Sequence, residues 1–258
     1  MKKFLKHIIL LVAVAGYLIV ILGFVGKEEE KVTCNYIRII IHDSLDVQFV
    51  NSRMIKNILL RGDQRLAGKP FSDLDMQELE NKIKSIKYIK RAEVYQTIEG
   101  ELVVEISQRE PIVRIIDRSG HGFYIDKEGY IVPLSRNYSP YVMVVNGAIG
   151  ERYRNVSNIS ELGMENNLLL DIYNMTEFIR SDKFWEAQIV QIYMNGNGEF
   201  ELIPRVGAQV IEFGKAVDME EKFEKLWILY NEGFHNTGWN QYERINLKYK
   251  NQAVCTKR

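Results

Sequence analysis

The sequence predicts an α+β protein in which an apolar segment precedes two regions of mixed strands and helices. Three observations indicate this class. Residues 8–25 contain no charged side chain. Residues 34–109 carry β-branched runs and two amphipathic patterns in the order strand, helix, helix, strand, strand. Residues 110–250 are rich in strand patterns, with two helical patterns whose apolar stripes should pack on a sheet.

The first segment, residues 8–25, is long enough to cross a membrane as a helix. At 1.5 Å per residue it spans about 27 Å, close to the roughly 30 Å thickness of the hydrocarbon layer. Three lysines lie in the head, residues 1–7. Positive charges next to a membrane span favour the cytoplasmic side, so the head is predicted to stay in the cytoplasm. The predicted anchor residues are Ile8, Leu11, Leu18, Ile21 and Val25.

Two other interpretations of this segment stay open, a cleaved signal peptide and a buried core helix. Ala13, Val14 and Ala15 have the small-x-small form of a cleavage site, but they lie inside the apolar run, whereas cleavage follows such a run. An uncleaved anchor would place the chain after about residue 26 outside the cytoplasm.

The overall charge argues against nucleic acid as a partner. Lys plus Arg equals Asp plus Glu, at 34 each, so no bulk positive field attracts a polyanion. The basic residues between 82 and 91 are better interpreted as one solvated helix face. An oxidising compartment would permit a bridge between Cys34 and Cys255, but two cysteines alone do not indicate a disulfide framework.

The elements of the first region follow from periodicity and capping residues. A β-branched run predicts a strand over residues 36–41. Asn51 is a candidate N-cap for a helix that ends near Arg61, and a second helix follows Ser72 and Asp73. Two strands, residues 89–95 and 102–106, then form a hairpin.

A break in the pattern at Pro111 separates the two regions, because proline cannot donate to a strand ladder. A strand over residues 112–116 and a hairpin around Asp126 and Gly129 open the second region. A further β-branched run covers residues 141–145.

The rest of the second region alternates helices with strands. Its longest helix is predicted from Ser160 to about Asp182. A hairpin turns at residues 195–198, where Asn and Gly tolerate positive φ. Asp218 and Glu221 have the spacing of a capping box and begin an aromatic-faced helix.

No arrangement of residues predicts catalysis, a metal site or a cofactor. The four histidines are scattered and form no HExxH pair, and no glycine-rich stretch has the strand-to-helix setting of a phosphate loop. Asp126 is expected to bind backbone groups of its own turn. The chain is therefore expected to act by binding, without a cofactor or a small-molecule substrate.

The last predicted strand, residues 242–249, is the candidate binding element. Ile245, Leu247 and Tyr249 alternate with Arg244, Asn246 and Lys248. At a sheet edge this strand could accept a partner strand, but the same periodicity fits a strand paired on both sides.

The order of these features resembles the FtsQ/DivIB family of bacterial cell-division proteins. The basic head and anchor come first, and the strand-helix-helix-strand-strand unit is similar to the POTRA domain of that family. Residues 102–113, LVVEISQREPIV, are similar to the family's strand that runs into a Glu-Pro junction. A hairpin that begins Phe-Tyr-Ile-Asp, and Phe223 and Leu226 before the terminal strand, complete the resemblance.

The resemblance implies a non-enzymatic scaffold that joins FtsL-like and FtsB-like single-pass proteins and other divisome proteins at the septum, for septal peptidoglycan synthesis. The terminal strand would receive the FtsB-like partner through Arg244, Ile245, Asn246, Leu247, Lys248 and Tyr249. It also implies a POTRA-like domain over residues 34–109, a β domain over 110–250, a tail over 251–258, and an inner-membrane location at the division site.

A second interpretation is a POTRA-type protein that binds polypeptides in secretion or in outer-membrane assembly. Such proteins normally continue into a β-barrel of alternating strands, which this sequence does not show. An envelope enzyme is the third interpretation.

Overall fold

A computed structural model describes residues 7, 10–19, 32–42, 47–61, 66–150, 153, 156–163, 167–234, 238–239 and 241–258. The chain divides into two compact units, Met1–Gln108 and Arg109–Arg258.

Residues 10–19 of the first unit form a helix with exposed apolar side chains, Leu11 and Leu18 among them. No helix in the described part of the chain combines the length and the apolar character that crossing a membrane requires. The predicted anchor residues Ile8, Ile21 and Val25 lie outside the described residues. The span over residues 8–25 therefore stays a prediction.

The first unit also contains a three-stranded sheet with two helices, in the predicted order of elements. Its strands are β1 (Tyr36–Ile41), β2 (Ile89–Gln96) and β3 (Glu101–Gln108), and its helices are α1 (Ser52–Leu59) and α2 (Met76–Lys84). β3 lies in the middle, parallel to β1 and antiparallel to β2. The buried residues of the helices and of the central strand form the core: Ile55, Leu59, Leu79, Ile83, Leu102, Val104 and Ile106.

The two helix starts in this unit differ in how well the sequence predicts them. The Asn51 side chain accepts a hydrogen bond from the Met54 amide at 2.9 Å, as predicted. The second helix does not begin at Ser72 and Asp73, because Phe71–Asp73 forms a separate 3₁₀ turn. Asp75 caps α2 instead, accepting from the Glu78 amide at 2.9 Å.

The second unit contains a large mixed sheet. Within the described residues it has nine strands, in the spatial order β12-β11-β10-β9-β8-β7-β4-β5-β6. The strands are β4 (Pro111–Ile116), β5 (Gly122–Asp126), β6 (Ile131–Pro133), β7 (Met143–Gly147), β8 (Ile189–Met194), β9 (Phe200–Pro204), β10 (Val210–Gly214), β11 (Tyr242–Asn246) and β12 (Val254–Lys257). The α-helices are α3 (Leu168–Ser181), α4 (Lys183–Gln188) and α5 (Met219–Ile228).

One row of the nine-stranded sheet lies at the centre of the core. Its members are opposite one another on successive strands and are fully buried: Ile115, Val145, Ile192, Leu202, Ile211 and Ile245. Leu169, Ile172 and Met175 of α3 and Phe223 and Leu226 of α5 belong to the same core cluster. Each such side chain stabilises the fold by about 1.5–3 kcal/mol relative to exposure.

The prediction of one continuous helix from Ser160 to Asp182 is wrong, because this segment contains a short turn and a separate helix. Ile159–Leu162 is a 3₁₀ turn that ends at Gly163, whose φ of 72° does not continue a helix. α3 then begins after Asn167, whose side chain accepts from the Leu170 amide at 3.1 Å. A glycine and a capping residue within one apolar stripe therefore divide it in two.

The predicted capping box at Asp218 and Glu221 is also wrong. Asp218 has a left-handed backbone, with φ 51°, and its side chain makes no capping hydrogen bond. The last predicted strand ends at Asn246 rather than at residue 249, and the expected tail contains β12. Cys34 and Cys255 are free thiols in separate units.

Candidate functional site: an open sheet edge

The strand predicted to bind a partner, β11, is paired on both of its sides. It runs parallel to β10 and antiparallel to β12. The interpretation of residues 242–249 as an edge strand is therefore wrong, and the alternative, a strand within its own sheet, is the one observed. The chain turns back at Asn251, whose φ is 59°, so that β12 forms the edge among the described strands.

The open side of β12 presents backbone groups of alternate residues. The Leu247 amide donates to Glu212 of β10, so the amides of Arg244 and Asn246 point the other way, towards β12. Their partners are Thr256 and Val254, and the Arg258 amide also points inwards, to the Gln241 carbonyl. By alternation, the N–H and C=O groups of Cys255 and Lys257 point away from the sheet.

Two of the six predicted contact residues cannot reach a partner, because Ile245 and Leu247 are fully buried. Lys248 and Tyr249 lie in the connection between β11 and β12, and Tyr249 is 52% exposed. The structure thus places Lys248 and Tyr249 on the surface beside the edge strand. It places Ile245 and Leu247 in the core.

The remaining two, Arg244 and Asn246, are bound to acidic residues of neighbouring strands. The Arg244 guanidinium contacts Glu212 and also Glu201, the latter at 3.3 Å. The side-chain Nδ2 of Asn246 donates to Glu212 Oε2 at 2.6 Å. The hydrogen bond from Arg244 to Glu212 raises the pKa of the guanidinium above its usual value, so this group stays charged.

Two residues of α5 hold the connection between β11 and β12. Lys225 Nζ donates to the carbonyl oxygens of Leu247 and Tyr249, at 3.2 and 2.7 Å. Glu221 accepts from the Asn251 amide at 3.3 Å. This hydrogen bond, and next the one from Lys225, lower the pKa of Glu221.

Sequence reasoning missed these two contacts. The sequence pattern assigned Glu221 to a capping box and gave Lys225 no role. The spacing of α5 places both on one helix face, since they are four residues apart, but nothing in the sequence shows that this face meets residues 247–251.

The turn at Asp126 is structural, as the sequence predicts. Asp126 Oδ1 accepts from the amides of Glu128 and Tyr130 at 3.0 and 2.7 Å, and Oδ2 accepts from Arg109 at 2.8 Å. In the described part of the chain no three His, Cys, Asp or Glu side chains are grouped as a metal site would need.

Comparison with known proteins assigns both units. A model named FtsQ/DivIB, C-terminal related, matches residues 110–256, which include β11, the connection and β12. The chain belongs to this FtsQ/DivIB family. A POTRA-like domain model matches residues 32–107, so the family match and the POTRA-like match together cover both units.

Two relatives support the family assignment over most of the length. Both are named cell division protein FtsQ, from Rickettsia felis and Rickettsia conorii. Each is 21% identical over 215 residues, which are 79% of this chain and 72% of the relative.

Proposed function

We propose that this protein is a non-enzymatic cell-division scaffold that holds FtsB-like and FtsL-like single-pass proteins at the division site. The carrying observation is the open edge of β12, which adjoins Lys248 and Tyr249 inside the region matched by the FtsQ/DivIB family. An extended segment of the FtsB-like partner adds to β12 through the outward backbone groups of Cys255 and Lys257.

The contact surface differs from the one the sequence indicates. Partner backbone pairs with β12, while partner side chains reach Lys248, Tyr249 and the exposed part of Arg244. Ile245, Leu247 and Asn246 act indirectly, because they fix β11 and thereby β12. Other divisome proteins join through surfaces outside this edge.

The N-terminal segment acts as the tether in this proposal. Residues 8–25 anchor the chain in the inner membrane, with the head in the cytoplasm and both units outside it. The exposed apolar side chains of residues 10–19 support this role, since a helix that is apolar all round requires an apolar environment.

The deciding experiment replaces Lys257 by proline and, in a matched variant, by alanine. Proline removes an outward N–H group and leaves the inward groups of Thr256 in place, whereas alanine keeps the N–H group. We expect Lys257→Pro to weaken copurification of the FtsB-like partner at least tenfold and Lys257→Ala to change it less than twofold. Equal partner recovery with both variants would refute strand addition.

A second variant tests the side chains beside the edge. Lys248→Glu with Tyr249→Glu is expected to abolish recruitment of the partner to the septum, since it reverses one exposed charge and removes an exposed aromatic ring. Normal recruitment would indicate that the partner does not contact these two side chains and binds only the backbone of β12.

Depletion tests the cellular role independently. Cells that lose the protein should form filaments with separated chromosomes, and light microscopy measures the cell length. Normal division after depletion would remove the cell-division role and favour polypeptide binding in secretion or in outer-membrane assembly.

A further inference from the structure

The second unit contains a cavity of about 640 Å³ beside the first residues of β4, β7 and β8. Its walls are largely apolar and include Pro111, Ile112, Pro140, Val142, Met143 and Ile189. This volume lies within the range of roughly 300–1,000 Å³ that ligand sites occupy. β9 and β10 separate these strands from β11, so the cavity is distinct from the edge at β12.

Positive charge surrounds the apolar walls. Arg114, Arg180, Lys183 and Arg205 line the cavity together with one acidic residue, Glu186. Arg180 is already paired, with Glu177 at 2.6 Å and with Glu186 at 3.7 Å. Among the described residues the other three cations have no carboxylate within ion-pair distance.

Arg114 and Arg205 differ in their hydrogen bonding. Arg114 lies on β4, and its Nε atom is buried without a hydrogen-bond partner in the described structure. Buried donors in native proteins are usually paired, so this N–H group is available to an acceptor of a ligand. Arg205 donates to the hydroxyl of Tyr141 at 2.6 Å, and Tyr141 is 89% exposed beside the cavity.

We propose that this cavity binds a short acidic peptide segment of a partner protein. Carboxylates of the segment would pair with Arg114, Lys183 and Arg205, and an apolar side chain between them would fill the space lined by Ile112, Met143 and Ile189. A small anion would satisfy the cations but leave these apolar walls in water, so charge and shape together favour a peptide. The proposal goes beyond the division scaffold and does not require it.

The test measures peptide binding to the purified full chain in detergent by fluorescence anisotropy. The probe is the fluorescein-labelled octapeptide Gly-Glu-Leu-Glu-Pro-Leu-Glu-Gly, and the matched probe has glutamine in place of each glutamate. We expect the acidic probe to bind at least tenfold more tightly than its glutamine counterpart. Equal affinities would overturn the proposal, because the cations would then contribute nothing.

Variants locate the binding. Arg205→Glu and Lys183→Glu alter exposed side chains and should each weaken the acidic probe at least fivefold. Arg118→Glu makes the same change at an exposed position in the turn after β4, beyond the end of the strand that is opposite the cavity, and should leave the affinity unchanged. Equal losses in all three variants would overturn the site, because a general charge effect would then explain the binding.

Citrate distinguishes a peptide site from a small-anion site. At a concentration equal to that of unlabelled acidic peptide, citrate should displace less than a tenth as much probe. Equal displacement would overturn the peptide assignment. Arg114→Gln adds a further check, in which the glutamine and acidic probes should become more alike in affinity.

Discussion

The two edges of the nine-stranded sheet are finished in different ways. At β6 the Ile131 amide donates to the Ser157 carbonyl at 2.9 Å, and Tyr130 forms a bridge with Asn158. At β12 no described strand or bridge covers the outward groups of Cys255 and Lys257. An uncovered edge can pair with another chain, so the proposed strand addition depends on this difference between the two edges.

Ile245→Ala should produce the largest loss of stability, because this side chain is fully buried in β11 and supports β12 from within. Truncation of a buried isoleucine costs about 2–5 kcal/mol. Denaturant unfolding followed by fluorescence measures it. The control Ile228→Ala, at a 49% exposed position, should change the free energy of unfolding by less than about 0.5 kcal/mol. Similar losses in both variants would contradict the burial argument.

Lys225→Met tests how α5 holds the connection next to β12. The change removes two hydrogen bonds to carbonyl oxygens and should cost about 1–2 kcal/mol. Hydrogen exchange should also become faster at Thr256 and Val254, whose amides bond to β11. Lys250→Met is the matched control, since Lys250 is exposed in the same connection. Unchanged exchange rates in Lys225→Met would show that β12 does not depend on α5.

Asn158→Ala tests the covered edge. The Asn158 side chain accepts from the Ser160 amide at 2.9 Å and donates to the Glu128 carbonyl at 3.0 Å. Loss of this cap should cost about 1 kcal/mol and speed exchange of the Ile131 amide. Asn197→Ala, in the hairpin turn after β8, provides the control. If the Ile131 amide keeps its protection, the cover at β6 does not depend on the cap.

Acid should weaken the connection between β11 and β12, by a smaller amount than the substitutions above. Because the pKa of Glu221 is lowered in the folded protein, its contribution is complete above the ordinary glutamate pKa and is lost as the pH falls through the folded value. Melting temperatures from pH 6 to pH 3 should therefore fall more steeply in the unaltered chain than in Glu221→Gln. Parallel pH profiles would remove Glu221 as the acid-sensitive group.

The sequence predicted the classes and order of most elements, because their signals are local. The β-branched run of β1 and the cap at Asn51 depend only on neighbouring residues, and both agree with the structure. The turn at Asp126 is local in the same sense. Periodicity also placed Ile245 and Leu247 on one face, and both are buried, although Leu247 follows the end of β11.

The predictions failed where contacts between distant residues decide the structure. The end of the sheet depends on the turn at Asn251 and on contacts from α5, thirty residues earlier in the chain. Arg244 was expected to face a partner, yet it contacts acids of β9 and β10. Alternation tells which residues share a face, but it does not tell which strand lies beside them.

The distribution of tryptophan gives the two units different optical signals. All three tryptophans, Trp185, Trp227 and Trp239, belong to the second unit, so the first unit contributes only tyrosine and phenylalanine emission. Trp185 is buried, while Trp227 is 45% exposed and meets the Phe184 ring edge-on at 5.0 Å. Tryptophan fluorescence therefore reports unfolding of the second unit alone, and its comparison with far-ultraviolet circular dichroism separates the melting of the two units.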